Sequence, residues 1–151
     1  MGLLSMASNA SAWRGYEYHL HKNVISYKKT DEGKYEGQVR GSNEENYSVL
    51  IDVEHPRKSS CNCPHAFGTR IICKHMIALY FGAFPNEAKR YMKEIEEYEV
   101  EAKQQEKEMH INVAKYIAGL SKAELQQALT ELLYDSPEWI FDRFVRYRVE
   151  E

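Results

Sequence analysis

Cys61-Asn62-Cys63-Pro64-His65-Ala66-Phe67-Gly68-Thr69-Arg70-Ile71-Ile72-Cys73-Lys74-His75 holds all three cysteines of the 151-residue chain. Residues two apart on an extended strand point to the same side, so Cys61 and Cys63 can present two thiolates to one point. Pro64 and Gly68 lie in the nine-residue spacer and can turn the chain, returning Cys73 and His75 to that point. Three sulfurs and one imidazole complete a tetrahedral set for zinc, which predicts a closed structural site with no position left for a substrate. Polar Asn62 and Lys74 sit beside the thiols, which argues against three cysteines that merely fill a core. A disulfide within the set would strand an odd thiol.

Outward from this stretch, residues 24–63 predict antiparallel strands. Val24–Lys29 leads into the turn signal Asp31-Glu32-Gly33, and Tyr35–Arg40 returns. Gly41-Ser42-Asn43 opens a second turn. In the next strand Tyr47, Val49, Ile51 and Val53 alternate with Ser48, Leu50 and Asp52, the period of a sheet with one covered face. Pro56 ends that strand, and a short loop delivers Cys61 and Cys63. After Cys73, the run Met76–Phe81 is too apolar for an exposed helix and predicts one buried against the sheet. Its N-terminal dipole favours a thiolate at Cys73, and Arg70 and Lys74 are placed to offset the net negative charge of three thiolates on one zinc ion.

The pattern C-x-C, a short spacer, and C-x-H running into an apolar helix resembles the SWIM-type zinc finger. Arg14-Gly15-Tyr16, Val24, Val39-Arg40-Gly41 and Tyr47-Ser48-Val49-Leu50-Ile51 agree with it, so the resemblance covers about residues 13–84. It implies a ββα-like finger with Zn2+ held by Cys61, Cys63, Cys73 and His75. His65 follows Cys63 at the spacing by which Cys63 follows Cys61 and competes as fourth donor; the resemblance favours His75, and Pro64 turns His65 away. Modules of this family occur in bacterial proteins linked to Swi2/Snf2-type ATPases, in plant transposase-like proteins and in some ubiquitin ligases. They are described as binding DNA or proteins.

A small sheet with one ten-residue helix buries little. Metal binding in finger-like peptides is worth on the order of 10 kcal/mol of apparent free energy, so Tyr47–Phe84 is expected to lose order without its metal.

From Asn86, read as a helix cap, the pattern turns helical. Tyr91, Ile95, Tyr98, Ala102, Gln105, Met109, Val113, Tyr116 and Leu120 recur at spacings of three and four. Unbroken from 86 to 118, this helix would span roughly 50 Å. It is read as packed on the domain at both ends, or as a self-association seam with a second copy. Gly119 stops it, Ser121-Lys122-Ala123-Glu124 is a capping box, and Ser136-Pro137 is read as cap and first residue of a third helix. The two short helices form a hairpin expected to cover the long one.

The fold class is therefore α+β: a small antiparallel sheet with a zinc finger, then a helical extension made of one long helix and a hairpin. Residues 1–12 are read as a disordered start or vector remnant, 13–85 as the finger domain and 86–151 as the extension. The net charge of −3 divides unevenly along these segments, positive in the finger and negative in the extension. That acidic balance disfavours helix-turn-helix reading of DNA by the hairpin.

Three functional classes compete. A direct nucleic-acid contact would use His55, Arg57, Lys58, Arg70 and Lys74 against phosphates. A protein-interaction module would use the chain's eleven tyrosines and apolar-rich helices. A zinc enzyme needs an open metal position and usually a carboxylate base, yet no Asp or Glu falls between His55 and Asn86. The reading is a non-catalytic zinc module contacting a protein, such as a Swi2/Snf2-type ATPase or helicase, and/or DNA. No membrane and no small-molecule substrate are expected. Reduced cysteines point to the cytoplasm.

Overall fold

The computed structural model describes residues 2–150. The chain divides into two compact units, Met1–Glu96 and Glu97–Glu151.

The first unit begins with helices α1 (Leu3–Met6) and α2 (Asn9–Leu20), followed by strands β1 (Val24–Asp31), β2 (Lys34–Arg40) and β3 (Asn46–Asp52). A 3₁₀ turn at Pro56–Lys58 leads to the two-residue strand β4 (Ser60–Cys61), and then comes helix α3 (Lys74–Ala83). The strands form one antiparallel sheet in the order β1-β2-β3-β4. Alternation set its covered face: Val39, Val49 and Ile51 are all buried. The β1–β2 turn requires a left-handed residue, and Gly33 supplies it at φ +67°.

Helix α3 lies between the sheet and α2, and its Met76, Ile77, Ala78, Leu79 and Phe81 are buried. Such a helix is apolar on every side because every side is covered. Contact with α2 is made at backbone distance through Gly15. A Cβ there would fall 2.5 Å from Ile77 Cβ and 2.9 Å from the Lys74 carbonyl oxygen. Around that crossing, Tyr16 stands edge-on to Phe81 with centroids 5.8 Å apart, and Tyr91 sits 5.4 Å from Phe81.

Residues 2–12 depart from the disordered start expected of them; Met1 lies outside the described residues. Ser8 caps α2 by accepting from the Ser11 amide at 3.1 Å. Leu3, Ser11 and Ala12 are buried, with Leu3 in the same core as α3. The loop after β3 is closed from within: the Asp52 amide donates to the buried Ser59 hydroxyl at 3.0 Å, and the Asp52 carboxylate accepts from the His55 amide at 2.7 Å.

Helix α4 (Pro85–Gly119) starts one residue before Asn86, with proline rather than an Asn cap opening the first turn. It runs through Lys103–Glu108 without a break. In the second unit it is followed by α5 (Lys122–Asp135) and α6 (Glu138–Arg148). The capping box forms as read: the Ser121 hydroxyl accepts from the Glu124 amide at 3.3 Å, and the Glu124 carboxylate accepts from the Ser121 amide at 2.8 Å. Ser136 instead donates back to the Leu132 carbonyl, and Pro137 occupies the cap position of α6. The hairpin does not bury its leucines on the long helix. No described residue of α5 or α6 is buried, and Tyr98 and Tyr116 of α4 are 71% and 68% exposed. No helix among the described residues is long and apolar enough to cross a membrane.

Replacing Gly15 by valine should destabilise the first unit by about 2 kcal/mol or more, since Ile77 cannot yield without shifting α3. Gly119→Ala, where nothing lies within 4 Å of the new atom, should leave stability unchanged or slightly raised. Urea unfolding of the zinc-loaded protein distinguishes the two.

Candidate metal centre

β4 and the start of α3 bring the cysteines together. β4 pairs with β3 so that Cys61 lies opposite Val49. Asn62 prolongs the pairing by one residue: its amide donates to the Ser48 carbonyl at 3.3 Å, and its side-chain oxygen accepts from the Ser48 amide at 2.8 Å. Beyond the strand, the Cys63 carbonyl accepts from the amides of Ala66 and Phe67 at 3.1 and 2.9 Å, curling the spacer into a tight turn. Gly68 takes φ +70° and Thr69 donates to the Ala66 carbonyl at 3.0 Å. Buried Ala66 and Ile72 anchor the spacer, and Cys73 occupies the N-cap of α3 with His75 in its first turn.

All four side chains are buried, and their donor atoms lie within 4.8 Å of one another. His75 Nδ1 is 3.8 Å from the Cys61 sulfur and 3.9 Å from the Cys73 sulfur. A tetrahedral zinc site with ordinary bond lengths has donor–donor edges of roughly 3.6–3.8 Å, so the set needs to contract by less than about 1 Å. The donors therefore fit the ion.

The other ring nitrogen of His75, Nε2, is buried with no hydrogen-bond partner among the described residues. A ligating histidine is usually steered by a hydrogen bond on its far nitrogen. Here aromatic packing holds the ring instead. Tyr47 lies 4.7 Å from it at 35°, and Tyr18 meets it edge-on at 5.5 Å. From sequence, Tyr47 is read only as part of a strand, and Tyr18 is not read at all. Tyr47 alternates inward from β3, but nothing local in Tyr18 connects it to a residue 57 positions away.

Charge within the cluster is shared unevenly. A hydrogen bond from the Cys61 thiol holds Cys73 down to about 4 against the penalty of burial, helped by His75 and the free amide of Met76. Cys61, the donor in that pair and itself buried, is pushed far above the ordinary thiol range. Burial, followed by the negative charge on Cys73, raises Cys63.

His65 is exposed and stands outside the group of four, although it lines the same cleft of about 480 Å³ as Cys63, Cys73 and His75. The basic residues proposed for phosphate contact lie on different elements. Arg57 and Lys58 are exposed on the 3₁₀ turn beyond the Asp52 end of β3, whereas the cysteines adjoin its Tyr47 end. His55 leans on Asp52, with Nδ1 3.5 Å from the carboxylate. Burial alone would raise Asp52, but the His55 amide and the charges of His55 and Lys34 outweigh it and hold the carboxyl below its usual range. Arg70 is exposed in the spacer. Lys74 donates to the Tyr18 hydroxyl at 2.6 Å, with Nζ 4.3 Å from that ring's centre.

Deprotonation on loading has a measurable sign. Zinc binds the cysteines as thiolates, and the metal-free chain is expected to lack the order of Tyr47–Phe84, so loading expels the protons of three ordinary thiols. Zinc affinity should then rise steeply with pH through neutrality, by up to about 1000-fold per pH unit, and fall as steeply on acidification. Chelator competition at several pH values reads the slope; an affinity independent of pH would show that thiolates do not hold the ion.

Among known proteins, no curated sequence and no solved structure matches the chain. Residues 47–81 match the family model of the SWIM zinc finger. The match covers under a quarter of the chain but runs from β3 through most of α3 and contains all four donors. Over that segment the chain is similar to a SWIM zinc finger, and its Cys3His cluster is positioned to bind a zinc ion.

Proposed function

We propose that the chain is a non-catalytic zinc module that contacts a protein partner. Cys61, Cys63, Cys73 and His75 hold the ion, which ties β4 to the N-terminus of α3 and supplies structural closure rather than chemistry. The observation that carries this reading is the donor set itself: four buried donors converge on one point. Four protein donors fill a tetrahedral zinc site, and a catalytic one keeps a position open. The absence of any Asp or Glu between His55 and Asn86 further supports a structural role. Three reduced thiols suit the cytoplasm, and a larger Swi2/Snf2-type ATPase or helicase is the class of partner that the resemblance suggests.

The alternative is direct contact with DNA through His55, Arg57, Lys58, Arg70 and Lys74. The protein reading is preferred because these cations are dispersed. Lys74 is engaged by Tyr18, and His55 by Asp52. Phosphate binding needs several free cations on one surface.

Two measurements test the proposal. His75→Ala should abolish stoichiometric zinc and the order of Tyr47–Phe81 seen by hydrogen exchange, whereas His65→Ala should retain both; the reverse result refutes the ligand assignment. Capture of partners on the zinc-loaded chain should survive nuclease treatment and moderate salt. Loss of every partner with nuclease would transfer the function to nucleic acid.

A further inference from the structure

We propose that the helical unit pairs with a second copy of the chain, the groove between α5 and α6 of each receiving the acidic stretch Glu97–Glu101 of the other's α4. This inference is independent of the reading of the metal centre.

The second unit has no described buried residue in α5 or α6, and large apolar side chains along all three helices are exposed. The order of a helical unit of this size rests on covering such faces. The two halves of a contact are both present. Leu129, Leu132, Leu133, Ile140 and Phe144 line a groove between α5 and α6, flanked by Arg143 and Arg148. No ion pair joins Arg143, Arg146 or Arg148 to a described carboxylate. On α4, Glu97, Glu99 and Glu101 alternate with Tyr98 and Val100, which are 71% and 67% exposed, and no cation falls between Lys93 and Lys103. Lys103 touches Glu99 at 3.9 Å, but both are well exposed, so that contact is weak and exchangeable. An apolar floor with an arginine rim thus matches an apolar helix surface set among glutamates.

Reach decides whose α4 it is. Tyr147 and Arg148 share the groove with Leu129, so α6 doubles back on α5 and its arginines lie beside the middle of α5. Leu129 is seven residues into α5, roughly 11 Å from its start. The stretch 97–101 lies roughly 27–33 Å before Gly119 along α4. Only Leu120 and Ser121 join the two helices, so the hairpin folded back on its own α4 falls short of the acidic stretch. Two α4 helices running antiparallel, crossing near Lys107, place each hairpin beside the other's Glu97–Glu101. The same contact is then made twice about a two-fold axis.

Sedimentation equilibrium of the zinc-loaded full chain, from roughly 1 to 100 µM, tests this. The expected mass is twice the 17.7 kDa of one chain. R143E/R148E and E97R/E99R/E101R should each weaken self-association about 10-fold or more, all five positions being exposed. An equimolar mixture of the two variants should recover a dimer, which a merely local effect of either would not produce. A wild-type monomer across the range, undiminished pairing in either variant, or a mixture that stays monomeric overturns the proposal. The monomer result would return the groove to another protein's acidic helix.

Discussion

Three sulfurs and an imidazole packed within 4.8 Å, all buried, are the constraint on which the first unit depends. Such a cluster is unfavourable in itself. One thiolate can be supported by a neighbouring thiol and the first turn of a helix, as Cys73 is, but three cannot share a dry pocket without a cation among them. The surrounding architecture serves that meeting. Asn62 carries the β3–β4 pairing as far as the second cysteine, the Cys63 carbonyl curls the spacer, and the cap position of α3 delivers the third thiol. Because α3 is also the helix that joins the sheet to α2, the cluster fixes the element against which everything else packs.

The two faces of α3 are secured by different means. Toward the sheet, aliphatic side chains interlock in the ordinary way. Toward α2, Gly15 lets two helix backbones approach until a single methyl group has no room. The aromatic cluster of Tyr16, Phe81 and Tyr91 then fills the space beside that crossing and gathers the first turns of α4 into the same core. The histidine is clasped by Tyr18 from α2 and Tyr47 from β3, so the orientation of a donor ring depends on elements that contribute no donor.

What could be read in the chain beforehand follows from how local each signal is. The C-x-C and C-x-H spacings are chemistry within a few residues, and the alternation from Tyr47 to Ile51 is a short-range period; both held. The Ser121 capping box was legible because its two hydrogen bonds lie within four residues. Helices α1 and α2 were not, because Gly15, Ser11 and Ala12 are small where they must pass close to a partner distant in sequence. Smallness reads as disorder until that partner is known. Ser136 misled for a related reason: its hydroxyl has two local choices, and it turned back to the Leu132 carbonyl rather than forward to α6. The hairpin leucines form an apolar stripe in the sequence, yet none is buried in the second unit, because a stripe states only that a face wants covering and not what covers it.

The position of Cys73 and His75 at the cap and second residue of α3 also bears on how the protein acquires its shape. A ten-residue helix is too short to begin by itself in water, since its first turn fixes several residues for a single hydrogen bond. Here the two residues that open that turn are held by partners ten and more positions upstream, Cys61 on β4 and Cys63 just beyond it. The costly nucleation event of α3 and the capture of the ion are therefore one event. The rate at which new chains mature should follow the free zinc level around them, and chains synthesised during scarcity would wait with their most apolar segment unprotected.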